Sequence, residues 1–143
     1  MSARRARKEA TRAHRGPLVL DAGAVIALAA DEPRARAELA VAVRRGARVV
    51  VPAPVVTETV RGNARDVRVN RVLTVVEEVV PVGEPLARAA GSLLGTTGSE
   101  AGAVDALVVA IAVSVAPAAV LTSDPVDLRR LARDHPEVRV FAV

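Results

Sequence analysis

The fold of this chain is decided by the segment LVLDAGAVIALAA at residues 18–30. Its first three residues form an apolar run with the length of a buried strand, and residues 22–30 have the composition of a short apolar helix. A strand without polar alternation that passes directly into a helix is typical of a parallel sheet covered on both faces. Asp21, at the junction, has apolar neighbours on both sides, so a charge lies where a strand ends inside the protein.

The rest of the chain repeats this alternation of strand and helix. Short apolar runs predict four more strands, at residues 49–51, 79–82, 119–121 and 138–141. Helical spacing and helix-terminal residues predict further helices at residues 33–45, 55–61, 64–75, 84–95, 99–116 and 124–133. We therefore predict one α/β domain built on a five-stranded parallel sheet.

Composition narrows the chemistry that this domain can perform. The chain has 143 residues, no cysteine and a single aromatic residue, Phe141. Without cysteine there is neither a disulfide framework nor a thiolate metal site, so a bound metal would need oxygen or imidazole ligands. The lack of aromatic rings excludes the stacking platforms of many single-strand nucleic-acid binders.

Positive charge is concentrated at the start of the chain. Residues 1–16 carry six of the twenty basic residues and one of the sixteen acidic ones, which gives +5, whereas the remainder carries −1. Such an arm can attract phosphate groups, or it can be a solvated tail or a non-native start. We predict that residues 1–16 form a disordered basic arm and that residues 17–143 form the folded domain. Because the arm has no apolar h-region, we do not expect it to be a secretory signal.

An uncharged stretch at residues 106–123 approaches the lower length limit of a membrane span. Pro117 lies inside the stretch, and Asp105 and Asp124 bracket it closely. A buried helix followed by a buried strand explains it better than a span does. We therefore expect a soluble, cytoplasmic protein without a membrane partner.

Acidic residues lie where the predicted strands end. Asp21 follows the first strand, and Asp124 follows the fourth. Glu58 lies in the first turn of the helix after the second strand, and Asp105 begins the apolar helix that leads into the fourth strand. Because the sites of parallel sheets form beyond the carboxyl ends of the strands, we expect these side chains at one edge.

The chemistry of such a cluster follows from its charge. Carboxylates in apolar surroundings are unfavourable, and like charges raise one another's pKa values unless a cation compensates them. Oxygen ligands suit Mg²⁺ and Mn²⁺, and a bound ion of this kind can activate water and stabilise charge on a phosphate. The acids therefore suggest metal-dependent phosphodiester hydrolysis.

Each acid also has a structural interpretation that needs no catalysis. Asp124 precedes a proline in the pattern of a helix N-cap, and Asp105 near a helix start would complement the helix dipole. Glu58 would be an ordinary first-turn residue, whereas Asp21 has the weakest structural alternative. Asp127 is a candidate for a further ligand or for supporting the ligands. Other acids and the histidines are expected to be helix caps, first-turn residues or solvated, namely Asp31, Asp66, Glu77, Glu78, Glu84, Glu100, His14 and His135.

Four segments occur in an order and at a spacing that belong to a known family. They are VLDAGAVI (19–26), VVTETVRG (55–62), VDALVVA (104–110) and LTSDPVDL (121–128). Together they resemble the PIN domain, and within it the VapC-type toxin ribonucleases of bacterial toxin–antitoxin pairs, over residues 17–143. The chain departs from the family at residues 22–24, where Ala-Gly-Ala replaces the Ser or Thr that often follows the first Asp. A hydroxyl that would help to hold a metal-bound water or a phosphate is missing there.

The resemblance implies a three-layer α/β/α sandwich around five parallel strands. It also implies Mg²⁺ or Mn²⁺ held by Asp21, Glu58, Asp105 and Asp124. In the family's arrangement, Asp21 and Asp105 would hold the main metal. Glu58 would bind or position the attacking water, and Asp124 would complete the site. Candidates for phosphate contact or for supporting the ligands are Thr122, Ser123 and Asp127.

The resemblance also implies partners. It predicts an endoribonuclease with an RNA substrate, a homodimer, and a small antitoxin protein that neutralises it. Antitoxin segments of this family commonly pack near the second and third helices. Residues 55–76 carry apolar and Arg residues that suit a partner surface, although most of the apolar ones are better explained by the core.

Other functions are compatible with parts of the pattern. A PIN-like module without catalysis would act only by binding other molecules, but binding alone does not require four clustered carboxylates. A receiver-like phosphorylation module needs a lysine near the acids, and the only lysine is Lys8 in the arm. A metal-dependent phosphatase for small molecules remains a further alternative, for which the sequence shows no dedicated specificity pocket.

Overall fold

The computed structural model describes Ser2 and residues 16–143. The prediction of a disordered arm at residues 1–16 therefore lies almost entirely outside the described residues. Within them, five parallel strands form one sheet in the order β3-β2-β1-β4-β5. The strands are β1 (Leu18–Leu20), β2 (Val49–Pro52), β3 (Glu78–Val80), β4 (Ala118–Thr122) and β5 (Val138–Ala142).

Seven α-helices connect the strands in the described part of the chain. A short 3₁₀ helix, Ala64–Asp66, precedes the fourth of them. The α-helices are α1 (Ala22–Ala29), α2 (Pro33–Arg44), α3 (Ala53–Thr59), α4 (Val67–Thr74), α5 (Glu84–Thr97), α6 (Ala103–Ser114) and α7 (Pro125–Leu131).

The strand order places the helices in two layers. From β1 to β3 the chain steps toward one side of the sheet, and from β3 through β4 to β5 it steps toward the other. Because crossovers between parallel strands are right-handed, this reversal puts the two groups of helices on opposite faces. In agreement, α1 packs against α3 and α4, while α5, α6 and α7 pack against one another. The predicted three-layer α/β/α fold with five parallel strands is confirmed.

The core is centred on β1 and α6. Every residue of β1 is buried, and α6 contacts β1, β2, β4 and β5. This central position explains why the helix is apolar on nearly every side after Asp105. Among residues 16–143, no helix is long and apolar enough to cross a membrane.

The structure corrects some predicted helix boundaries. Helix α3 runs from Ala53 to Thr59 instead of 55–61, so Glu58 lies in its last turn and not in its first. The reason is that Pro54 is accommodated in the first turn, where its missing N–H has no partner to lose. Helix α6 begins at Ala103, so Glu100 precedes it. Helix α5 instead continues to Thr97 and is ended by Gly98, which has a left-handed φ of 58°.

Candidate active site

Asp21 lies at the junction of β1 and α1 and is the N-cap of that helix. Its Oδ1 accepts the backbone N–H of Ala24 at 2.8 Å. The residue is only 8% exposed. Burial raises the pKa of the Asp21 carboxyl, and the charges of Asp105 and Glu58 raise it further, against the hydrogen bonds from Thr122 and Ala24. The site therefore holds a buried acid whose negative charge is only partly compensated.

Thr122, the last residue of β4, connects two of the predicted site residues. Its side chain is fully buried. The Oγ1 atom accepts the backbone N–H of Asp124 at 3.0 Å, and the hydroxyl also hydrogen-bonds the Asp21 carboxylate. A hydroxyl has a single proton, and a carboxylate can only accept, so Thr122 donates that proton to Asp21. This contact orients the Asp21 side chain and holds the turn that carries Asp124.

Asp105 lies in the first turn of α6 and faces several other acids. Burial raises the pKa of its carboxyl, and the charges of Glu58, Asp127 and Asp124 add to the increase in that order. A hydrogen bond from the Gly102 backbone opposes it. Asp105 therefore lies close enough to Glu58, Asp127 and Asp124 for their charges to raise its pKa, and Asp105 and Glu58 act in the same way on Asp21.

Asp124 precedes α7 at the N-cap position, but its side chain makes no capping hydrogen bond. The capping interpretation of this residue is therefore not realised in the structure. Both Asp124 and Glu58 are exposed, whereas Asp127 in the first turn of α7 is half-buried. Asp21 is therefore the buried acid at this edge of the sheet, and the other three carboxylates are more accessible to solvent.

The arrangement falls short of a formed metal site. Within the described residues, no group of three or more His, Cys, Asp or Glu side chains is placed to hold a metal ion. The side chains nevertheless suit a hard divalent cation, because they are carboxylates. Burial and the repulsion between them disfavour their negative charge, and a cation would offset both effects.

Ser123 lies where a side chain at position 23 would be. A Cβ atom added to Gly23 would clash with Ser123 Oγ and lie 3.0 Å from Ser123 Cβ. Position 23 is therefore a glycine because the turn after β4 approaches the first turn of α1 so closely. The exposed hydroxyl at this point comes from Ser123 and not from residues 22–24.

Two residues near the end of α3 have a larger role than the sequence indicates. The sequence predicts Asp66 as a cap or a solvated acid, and the cap is confirmed, since Asp66 belongs to the capping box of the 3₁₀ helix. Arg61 is one of several arginines that the sequence leaves open between an RNA path and solvated surface. In the structure Asp66 is buried and Arg61 contacts the end of α3, which carries Glu58. The Asn63–Asp66 spacing of a capping box was the available signal, since such boxes pair a cap residue with an acid three residues later.

The topology also locates this edge as the natural place for a site. Asp21 follows β1 and Asp124 follows β4, and these adjacent strands flank the point where the chain reverses direction across the sheet. Sites of open parallel sheets form at such switch points, beyond the carboxyl ends of the strands. The molecule is thus an α/β/α domain with acids gathered at its switch point.

Sequence comparison identifies the family to which this domain belongs. The PIN domain family profile matches residues 18–134. The chain is therefore a member of the PIN domain family, whose domains are generally nucleases. No functionally curated protein matches the chain significantly in sequence.

Solved structures share the fold at low sequence identity. VapBC2 from Rickettsia felis, bound to a DNA fragment from its promoter, superposes with a TM-score of 0.69 at 14% identity, covering 88% of this chain and 98% of the other. FitAB bound to an IR36 DNA fragment gives a TM-score of 0.62 at 22% identity, with coverages of 87% and 94%. FitAcB from Neisseria gonorrhoeae gives 0.60 at 22% identity, with coverages of 87% and 96%.

Proposed function

We propose that this chain is a VapC-type endoribonuclease that hydrolyses RNA phosphodiester bonds with the help of Mg²⁺ or Mn²⁺ and acts as the toxin of a toxin–antitoxin pair. The observation that carries the proposal is the pair Asp21 and Asp105, two acids whose pKa values are raised by burial and by the neighbouring carboxylates. Perturbed acids at a switch point are typical of functional sites. The membership of the PIN family supports a nuclease.

Residues of this chain have separate tasks in the proposed reaction. Asp21 and Asp105 would hold the ion, and Glu58 and Asp124 would complete its surroundings. A divalent ion bound there supplies charge neutralisation for a phosphate and lowers the pKa of water. Thr122 keeps the Asp21 carboxylate oriented through its donated hydrogen bond. Glu58, exposed at the edge, would orient the attacking water and accept its proton.

The test combines calorimetric titration with Mn²⁺ and a cleavage assay on RNA. We expect wild-type protein to bind Mn²⁺ and cleave RNA, and Asp21→Asn and Asp105→Asn each to lose the binding heat and about 100-fold or more of the cleavage rate. Asp134→Asn is the matched control, since it neutralises an exposed aspartate outside the edge.

Two results would contradict the proposal. Wild-type protein that binds no Mn²⁺, even with a non-cleavable oligonucleotide present, would favour a PIN-like interaction module without catalysis. Mn²⁺ binding without cleavage of any RNA would point to another substrate, such as a small phosphate ester.

The proposal includes a small antitoxin protein as partner. A groove of about 460 Å³ between α2 and the end of α4 is lined by apolar residues and by Arg36 and Arg44. Val43 and Val75 on this groove are each 59% exposed, which is unusual for large apolar side chains. An antitoxin segment with apolar and acidic side chains would complement this surface.

Co-expression with the cognate antitoxin tests this surface. We expect Val43→Asp to weaken the complex about tenfold or more, because it places an unpaired charge in an apolar contact. The control is Val115→Asp after α6, where a 37% exposed valine lies outside the groove. Equal weakening by both variants would contradict the assignment. Sedimentation of the free protein tests the proposed homodimer.

A further inference from the structure

The loop after α3 is folded around the buried carboxylate of Asp66. Asp66 is 6% exposed. Its oxygens accept the backbone N–H groups of Arg61 at 2.9 and 3.1 Å, Gly62 at 2.6 Å and Asn63 at 3.3 Å. Hydrogen bonds to an ionised acceptor are stronger than neutral ones, so three backbone donors fix this loop firmly. Gly62 has a φ of 77°, a left-handed conformation that favours glycine at this turn.

The fixed loop directs the Arg61 side chain back onto helix α3. Its Nη1 donates to the carbonyl oxygens of Thr57 and Val60, each at 3.1 Å, and its Nη2 donates to that of Glu58 at 3.1 Å. The last carbonyl groups of a helix have no partners inside the helix. A guanidinium group at this end satisfies them and complements the negative end of the helix dipole.

Helix α3 depends on this contact more than a longer helix would. It has seven residues, and no side chain caps its N-terminus. Short helices are marginal without external support because nucleation is costly. Glu58 lies in the last turn, the part of the helix that frays first, and its charge acts on both Asp21 and Asp105. The position of the Glu58 carboxylate therefore depends on how well this last turn is held.

We propose that Arg61 and Asp66 form a bracket that holds the last turn of α3 and so positions Glu58 against the other acids of the edge. Asp66 fixes the loop, and Arg61 transmits that order to the helix through its three carbonyl contacts. Neither residue is placed in contact with the substrate, so both are positioning residues. This inference rests on the proposed function, in which Glu58 orients the attacking water.

The test is a double-mutant cycle between Arg61 and Glu58 in the Mn²⁺-dependent cleavage of RNA. We expect Arg61→Gln to lower kcat about tenfold with KM nearly unchanged, as is usual for residues that orient a ligand from behind. On the Glu58→Gln background the same change should have no further effect, because the group that it positions is gone.

Two control variants separate positioning from charge. Arg65→Gln removes another exposed arginine of the same loop and should leave kcat within about twofold of wild type. Arg61→Lys keeps the charge but lacks the fork of donors, so it should restore less than half of the lost kcat. Full activity of Arg61→Lys, an equal loss in Arg65→Gln, or an undiminished loss on the Glu58→Gln background would each overturn the inference and would indicate a direct RNA contact instead.

Amide hydrogen exchange of the metal-free protein gives a readout that does not depend on catalysis. We expect the amides of residues 57–60 to exchange about tenfold faster in Arg61→Gln than in wild type or Arg65→Gln. Asp66→Asn should accelerate the amides of residues 61–63 as well. Unchanged exchange in Arg61→Gln would overturn the bracket. If wild-type protein cleaves no RNA, the proposed function fails, and the bracket is decided by exchange alone.

Discussion

Two buried aspartates of this molecule have nearly the same exposure and opposite electrostatics. Asp21 is 8% exposed and Asp66 is 6% exposed. Burial raises the pKa of Asp21, and the neighbouring carboxylates raise it further. Backbone hydrogen bonds from Arg61, Gly62 and Asn63 instead hold the pKa of Asp66 below its ordinary value. Burial is therefore the main cause of the raised pKa at Asp21, whereas at Asp66 the backbone donors outweigh the effect of burial.

This contrast separates an acid that serves the fold from one that serves a ligand. At Asp66 the chain satisfies the negative charge with three backbone donors, so its ionised form stabilises the folded state. At Asp21 the carboxylate accepts hydrogen bonds from one backbone N–H and one hydroxyl, but it also lies near two further carboxylates. Its ionised form therefore destabilises the folded state in the absence of a cation. Proteins retain destabilising groups of this kind where function requires them.

The largest effect on stability is expected for Asp66→Asn. An asparagine keeps one oxygen, which would have to accept all three backbone N–H groups without the negative charge, and its amide nitrogen cannot replace the oxygen that now accepts the Arg61 N–H at 2.9 Å. We expect the thermal midpoint of the metal-free protein to fall by several degrees at pH 7. Differential scanning fluorimetry in EDTA measures this, with Asp134→Asn as the exposed control. A midpoint within one degree or so of wild type would show that the loop does not depend on this carboxylate.

The same chemical change at Asp21 is expected to act in the opposite direction. Asp21→Asn retains a side-chain oxygen for the N-cap of α1 and removes the charge that Asp105 and Glu58 repel. We expect the thermal midpoint in EDTA to rise by a few degrees while RNA cleavage is lost. A fall comparable to that of Asp66→Asn would mean that the Asp21 charge stabilises the fold, which would contradict the comparison.

The pH dependence of stability distinguishes Asp66→Asn from Asp21→Asn further. The lowered pKa of Asp66 means that its stabilisation is present above the ordinary value of 3.8 and is lost as the pH falls through the folded-state pKa. The raised pKa of Asp21 means that its carboxyl favours folding below pH 3.8, and that this contribution is lost as the pH rises through the folded-state pKa.

Chemical denaturation from about pH 3 to pH 7 measures both effects. The loss of unfolding free energy in Asp66→Asn, relative to wild type, should become smaller as the pH falls. The gain of Asp21→Asn should appear only on the neutral side. Parallel curves would contradict both assignments.

Much of the fold was accessible from sequence because the strands are apolar runs. The parallel register of β1 beside β4 then places Asp21 and Asp124, which directly follow these two strands, at the same end of the sheet. The last-turn position of Glu58 was missed because Pro54 suggested a later helix start, although proline is tolerated in the first turn. The importance of Asp66 was hidden because its partners are backbone N–H groups, which every residue except proline possesses. Distances between carboxylates, which decide whether an ion is held, depend on side-chain rotamers that no sequence pattern specifies.

The smallest expected effect comes from Gly23→Ala. This substitution tests how closely the first turn of α1, which follows Asp21, packs against the turn after β4. The added methyl group would clash with Ser123 Oγ and lie 3.1 Å from the Ser123 backbone nitrogen. The hydroxyl can rotate away because Ser123 is exposed, but the backbone must move by a few tenths of an ångström. Alanine regains up to about 1 kcal/mol of helix propensity, which offsets part of this strain.

We therefore expect Gly23→Ala to lower the free energy of unfolding by no more than about 1 kcal/mol, and Ser123→Gly on that background to restore most of it. The displaced turn carries Thr122, whose hydroxyl orients Asp21, so backbone amide shifts should change at residues 21–24 and 122–124. The amides of residues 61–63 should keep their shifts, because the Asp66 loop is built from its own local hydrogen bonds. Chemical-shift changes at residues 61–63 as well would show that the surroundings of Asp21 and Asp66 are structurally coupled. The contrast between the two aspartates would then require a different explanation.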